Sequence, residues 1–316
     1  MSVLSALHGA TSTVFSNLFV RLPIPSATPD LSQQTIIVTG ANTGLGLETS
    51  RHLLRLGVGK LIMAVRSPSK GSAAKHDLLT TTGCDPSTIE VWPLDMASYH
   101  SVKAFAARAS SELSRLDGVL ANAGILTRQF ALSPETGHES TLTVNVISTF
   151  LLCLLLLPKL RDTHAQTGRA PRFVIPNSAL HYLAPMGELT AAEDGSIIAR
   201  LDDPAKADMA GRYPVSKLLV LYAVRELAGR CRAAAAAAAA AAEGGGVVGA
   251  KVIINTPNPS YCVSGLMRED GGVGVKVAER LLARTTEEGA RTLYHGLVVA
   301  GEESDGQYLT NCHVQT

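Results

Sequence analysis

The sequence predicts an α/β fold: one doubly wound parallel sheet with helices on both faces. Three observations predict it. Short, continuously apolar runs recur at Thr35–Thr39, Lys60–Val65, Ile89–Pro93, Gly118–Ala121, Arg172–Ile175 and Lys251–Asn255. Helix-length segments separate them, the alternation expected of parallel strands buried on both sides. The apolar content is aliphatic: 46% of the 316 residues are hydrophobic but only 4% aromatic. That suits buried parallel strands better than a sandwich with aromatic layers. Six runs suffice for one doubly wound domain.

Composition narrows the function. The chain is too apolar and too evenly charged for disorder. With 28 basic and 27 acidic residues its net charge is +1, so it carries no electrostatic footprint for nucleic acid or an anionic membrane. The five cysteines (Cys84, Cys153, Cys231, Cys262 and Cys312) are widely spaced with no CxxC pair. Neither a disulfide framework nor a metal site is expected, and a reducing, cytoplasmic setting is.

Residues 1–34 read as an N-terminal extension and 35–316 as the domain. Val3 to Val20 is mildly apolar but carries His8 and Asn17, too polar for a spanning helix. A short helix packed on the domain is expected, with peripheral membrane contact as the alternative. Pro23, Pro25 and Pro29 mark a connector.

The first strand leads into Thr39-Gly40-Ala41-Asn42-Thr43-Gly44-Leu45-Gly46, and a helix over 46–56 follows. Gly40 allows a tight turn, Gly44 lets pyrophosphate approach the backbone, and Gly46 lets the helix pack on the sheet. The helix N-terminus offers free N–H groups to phosphate. Strand two ends Ala64-Val65-Arg66-Ser67, without the acid that usually holds an adenosine ribose. Arg66 offers a donor fork for a 2′-phosphate, with Lys70 nearby, which points to NADP(H). The apolar run Thr149–Leu157 reads as a buried helix ending at Pro158, too short to cross a bilayer.

Tyr213-Pro-Val-Ser-Lys217 places two side chains one helical turn apart. An ammonium beside a phenol lowers its pKa, so Tyr213 could exchange a proton with a carbonyl oxygen. Ser178 follows the strand at Arg172–Ile175, at the strand end where open parallel sheets bind ligands, and could hold the same oxygen.

Together these motifs resemble the short-chain dehydrogenase/reductase family, whose glycine turn reads TGxxxGxG and whose fold is a single Rossmann-type domain. The resemblance covers roughly residues 35–265. It implies a tetrad of Asn145, Ser178, Tyr213 and Lys217, with Asn145 supporting a water-linked proton relay and Lys217 also binding the nicotinamide ribose. It further implies that Asp95 contacts adenine, that Asn122-Ala123-Gly124 shapes the cofactor pocket, and that Ser264 stands for a Thr at the nicotinamide end. Ser260 replaces the family's Gly in that last motif. The nearest subgroup resembles fungal members similar to retinol dehydrogenases and WW-domain oxidoreductases, on the pattern Ser178-Ala-Leu-His181. It implies carbonyl reductase activity, interconverting a ketone or aldehyde and an alcohol, on a lipophilic secondary metabolite. Family members often pair through the helices bearing the Asn and the Tyr, so the resemblance also implies a possible homodimer through those of Asn145 and Tyr213. An epimerase-like relative is disfavoured by the glycine spacing and the short tail after Ser264. A catalytically silent NADP-binding regulator is the alternative in another class, and no tetrad residue is lost to support it.

Two segments remain. Residues 182–211 form an insert expected to be a polar, solvated loop at the substrate mouth, rich in acids from Glu188 through Glu193, Asp194, Asp202 and Asp203 to Asp208. The low-complexity stretch 233–246, ten alanines followed by Glu243 and three glycines, is expected to lengthen the preceding helix.

Overall fold

Strand β1 (Thr35–Thr39) is buried at every position, as a central strand with helices on both sides must be. Around it a computed structural model, which describes residues 3–26, 29–190, 196–241, 251–263, 265–267 and 279–315, builds an eight-stranded sheet. The order is β3-β2-β1-β4-β5-β6-β7-β8. The strands β2 (Lys60–Val65), β3 (Ile89–Pro93), β4 (Gly118–Leu120), β5 (Arg172–Val174), β6 (Ile253–Asn258) and β7 (Tyr308–Thr310) run parallel. Only β8 (His313–Val314) is antiparallel. The chain reverses its winding between β1 and β4, which opens a crevice at the strands' C-terminal ends.

Helices α2 (Gly44–Arg55) and α3 (Pro68–Thr82) cover one face, joined late in the chain by α9 (Thr286–Tyr294). On the other face lie α4 (Tyr99–Glu112), α5 (Ser140–Thr167) and α8 (Arg212–Ala241). Each face has its own aliphatic core: Leu53, Met63 and Leu293 on the first, Ile37, Leu152 and Val224 on the second.

Four elements differ from the sequence expectation. Helix α5 runs through Pro158 to Thr167. The proline removes only a bond to the carbonyl of Leu154, which lies on the exposed side. The 28-residue stretch is long and apolar enough to cross a membrane by composition, yet 61% of its most apolar window is buried inside the protein, which identifies a core helix. Strand β6 begins two residues later than its apolar run and extends to Asn258, because Ile175 and Asn177 beyond β5 donate to the carbonyls of Asn255 and Pro257. Strands β7 and β8 are additional. They form a two-residue hairpin in which Asn311 and Cys312 both take positive φ, 51° and 64°.

The 182–211 insert is structured. It holds α6 (Gly187–Thr190) and α7 (Ile197–Leu201), and Ala184 and Leu201 pack with Val215 and Leu218 of α8 in a small core. Glu193 and Asp194 lie outside the described residues. The alanines through Ala241 extend α8, while the glycines at 244–246 are also outside. Helix α1 (Val3–Phe19) lies against the segment Ala179–Leu183.

Ser260 has φ 66°, a left-handed conformation that strains any residue but glycine. Its hydroxyl is buried without a hydrogen-bond partner among the described residues. Ser260→Gly should therefore stabilise the protein by roughly 1 kcal/mol, read as a higher urea midpoint at unchanged slope. An unchanged or lower midpoint would contradict that strain.

Candidate active site

The turn after β1 is built for an anion. Gly40 and Gly44 have φ 63° and 58°. A Cβ added at Gly44 meets no atom within 4 Å, so the turn faces open space. Thr43, which caps α2, makes no side-chain cap bond, leaving first-turn N–H groups for phosphate. Asn42 and Leu45 complete the turn and are partly accessible. A Cβ on Gly46 would come within 2.6 Å of the Gly40 carbonyl oxygen and of Asn122 Nδ2. Gly46 thus lets α2 sit on the turn itself.

The Asn122-Ala123-Gly124 segment braces that turn. Asn122 Nδ2 donates to the Thr39 carbonyl at 3.1 Å, and the Ala123 N–H donates to Thr39 Oγ1 at 2.9 Å. At the ends of β2 and β3 lie the residues expected to face the adenosine. Arg66 and Lys70 are exposed and have no hydrogen-bond or ion-pair partner among the described residues. They flank the N-terminus of α3, whose cap Ser67 also makes no side-chain cap bond. Asp95 accepts from the Ala97 N–H at 2.9 Å through one oxygen, and its other oxygen is unbonded among the described residues. These features fit a phosphorylated dinucleotide. Ser264 lies outside the described residues.

Helix α8 begins at Arg212, so Tyr213 and Lys217 both sit in its opening turns. The Lys217 ammonium lies 5.5 Å from the centre of the Tyr213 ring and donates to the Pro176 carbonyl at 2.8 Å. Pro176 belongs to the chain leaving β5, so this bond ties the helix to the Ser178 loop. Both side chains are buried. Burial pulls the Lys217 ammonium down to about 8. Burial also holds Tyr213 well above the ordinary phenol range, with hydrogen bonding to Ser178 pulling the other way. The lowered phenol expected from a neighbouring ammonium is therefore not found: desolvation outweighs it, and the ammonium is directed at Pro176.

Ser178 is partly accessible. Its Oγ accepts from the Leu180 N–H at 3.2 Å, and its hydroxyl hydrogen-bonds Tyr213, so a substrate oxygen would take up that proton in place of the phenol. The buried Asn177 accepts from the Ser178 N–H at 2.8 Å. His181 does not face the site. Its Nδ1 lies 2.7 Å from the Ser178 carbonyl, and its ring packs on Tyr182 and Tyr308, a structural role. Asn145 lies in a π-helical turn, Thr143–Ile147, a distortion common at functional sites. Its amide accepts from the Ile125 N–H and donates to the Ile125 carbonyl, both at 2.9 Å, and donates to Ser216 Oγ at 3.1 Å. It thus joins the β4 loop to α8 one residue before Lys217.

Sequence reasoning missed a buried charge cluster beside Tyr213. Arg212 is 1% exposed and lies 3.8 Å from Glu139 and 3.9 Å from Glu188. None of its three guanidinium nitrogens has a hydrogen-bond partner among the described residues. Glu139 caps α5 by accepting from the Thr141 and Leu142 N–H groups. Glu188 comes from the insert and accepts from the Asp208 N–H at 3.0 Å. Asp202 accepts from the Glu139 N–H and pairs with His138, both at 2.7 Å. Two acids of the insert, Glu188 and Asp202, are thus turned inward, contrary to the solvated loop expected, because Arg212, His138 and free N–H groups draw them in, while Asp208 stays exposed.

A dinucleotide turn, a Tyr–Lys pair and a strand-end Ser in one crevice define an oxidoreductase of the Rossmann class. The family profile described as short chain dehydrogenase matches residues 34–170. The short chain dehydrogenase/reductase dmxR8 of Cryptosporiopsis sp. is 43% identical over 305 residues, 96% of this chain and 88% of that protein. The short chain dehydrogenase atnD of Emericella nidulans is 40% identical over 303 residues, 94% and 90% of the two chains. The Pseudomonas aeruginosa RhlG/NADP active-site complex shares the fold, with a TM-score of 0.62 at 21% identity, covering 89% of this chain and 95% of that one. The chain belongs to the short-chain dehydrogenase/reductase family.

Proposed function

We propose that this oxidoreductase is an NADP(H)-dependent carbonyl reductase or alcohol dehydrogenase acting on a ketone or aldehyde of a lipophilic secondary metabolite. The observation that carries the reading is the junction of Lys217 with the Ser178 loop through Pro176, which brings the Tyr213 helix to that loop. NADP(H) would supply or accept the hydride, held by the glycine turn and by Arg66 and Lys70. Ser178 donates to the substrate oxygen and fixes its position. Tyr213 gives that oxygen a proton in reduction and takes it back in oxidation. The Lys217 ammonium stabilises the phenolate that remains, and Asn145 supports a water-linked relay that returns the proton. Asp95 holds the adenine end, and Ser264 the nicotinamide end.

Five free thiols support a reducing, cytoplasmic setting. Pairing of two copies through α5 and α8 belongs to the same reading, supported by exposed Leu154, Leu155 and Tyr222 on those helices.

The test is oxidation of NADPH and of NADH by the purified protein across a panel of aromatic and cyclic ketones. Turnover with NADPH, and slower turnover with NADH, is the expected result. NADPH binding without turnover on any ketone would sink the catalytic reading and favour a silent regulator. Cofactor choice has its own test. Arg66→Ala should raise the KM for NADPH about 10- to 100-fold, the loss of one charged hydrogen bond, and leave that for NADH nearly unchanged. Equal effects on both would show that Arg66 does not read the 2′-phosphate.

A further inference from the structure

Helix α1 is inside out. One stripe of its polar and small residues faces the protein, while His8, Ala10 and Thr11 are exposed. Asn17 Nδ2 donates to the carbonyls of Tyr261 and Leu282, both at 2.7 Å. Arg284 donates to the Ser16 carbonyl at 2.7 Å, and Asn311 Nδ2 to Ser16 Oγ at 2.9 Å. Gly9 packs so closely on Tyr182 that a Cβ there would come within 2.9 Å of it. Residues 9, 12, 13, 16 and 17 thus make one inward stripe at helical spacing.

The opposite stripe is bare and mostly apolar, with Thr11 on it and His8 at its edge. Leu7, Val14, Phe15, Leu18 and Phe19 are 42–70% exposed, and Ile24 beyond the helix is 77% exposed. The Phe15 and Phe19 rings stack 5.3 Å apart. Leu281, 69% exposed, adjoins Leu282, where Asn17 anchors the helix. A run of large apolar side chains on one helix is well beyond the singly scattered hydrophobics of an ordinary surface.

The character of the stripe selects its occupant. Residues 1–29 contain no Asp or Glu, and Arg21 is their one Lys or Arg. A partner protein needs about 800 Å² a side and a polar rim. A stripe on one helix with no acid and a single Arg in its segment lacks a charged rim. A bilayer surface moulds around such a ridge, accepts Leu and Phe at the acyl boundary, and is repelled by no carboxylate.

We propose that α1 is an interfacial anchor that docks the protein onto a lipid bilayer surface through Leu7, Val14, Phe15, Leu18, Phe19 and Ile24. Its polar stripe clamps the body of the enzyme and its apolar stripe enters the interface. The docking itself does not depend on the proposed reaction. If that reaction holds, α1 lies on the segment directly after Ser178, so docking sets the substrate mouth near the membrane, where a lipophilic carbonyl compound partitions.

The full-length protein is floated with phosphatidylcholine vesicles, beside the Phe15→Ser/Phe19→Ser variant. Its mass is measured without vesicles at low and high concentration. Wild type is expected to float with the vesicles and the variant to stay behind by at least tenfold. The two should melt at the same temperature and have the same mass. A wild type that remains in the soluble fraction overturns the proposal. So does a variant that still floats like wild type. A drop in mass on substitution would assign the stripe to a second copy of the chain instead. Vesicle binding is read without turnover, so its failure and that of the reductase reading are separable.

Discussion

Replacing Tyr213 by Phe is expected to lower turnover about 10²- to 10⁴-fold, the usual contribution of a positioned acid–base group. The loss should fall on kcat more than on KM, since the hydroxyl matters most as the proton moves. Cofactor binding should survive, because the glycine turn and Arg66 lie elsewhere. Near wild-type turnover in the purified variant would remove Tyr213 from the mechanism. The same site has a predicted pH response. Burial brings Lys217 down to about 8, so the ammonium is present below that pH and lost above it. The phenolate left after proton donation then loses its neighbouring charge. Carbonyl reduction should therefore weaken as pH rises through about 8. A rate that climbs through this range would contradict the role given to Lys217.

Arg212→Met is expected to be among the most destabilising single changes in the molecule. It removes the cation between Glu139 and Glu188, both buried, and leaves two carboxylates inside the protein. Breaking a buried pair from one side typically costs about 3–5 kcal/mol. The lost free energy is measured by urea unfolding. Part of it should return when Glu188→Gln is added, because one orphaned charge is then gone. A single variant within about 0.5 kcal/mol of wild type, the range of ordinary surface changes, would show that the cluster contributes nothing. The site should respond too: Glu188 belongs to the insert, Glu139 caps α5 ahead of Asn145, and Arg212 adjoins Tyr213.

Six parallel strands were legible because each buried strand is a continuous apolar run, and local composition is enough to reveal that. The glycine turn was legible because its backbone demands residues of almost no size. Where reading failed, the cause was a weak local signal or partners distant in sequence. The β7–β8 hairpin carries Asn311-Cys312 rather than Asn-Gly, so its turn has no strong local signal. Strand β6 outgrew its apolar run because hydrogen bonds from beyond β5 extend it past Asn255. Pro158 suggested a helix end, but packing carries α5 through it. The sequence left the role of His181 open, and its ring contacts with Tyr182 and with Tyr308 from far along the chain make it structural.

Sequence alone determined the family, the doubly wound sheet, and the residue types suited to a dinucleotide and to proton transfer, because each is written in contiguous residues. Tertiary structure decided what those residues experience. Lys217 is aimed at Pro176, Tyr213 is desolvated, Arg212 draws in Glu188, which composition suggested was solvated, and α1 turns one polar stripe inward. Burial and electrostatic environment are sums over groups far apart in the chain, and only the folded arrangement fixes which groups enter the sum.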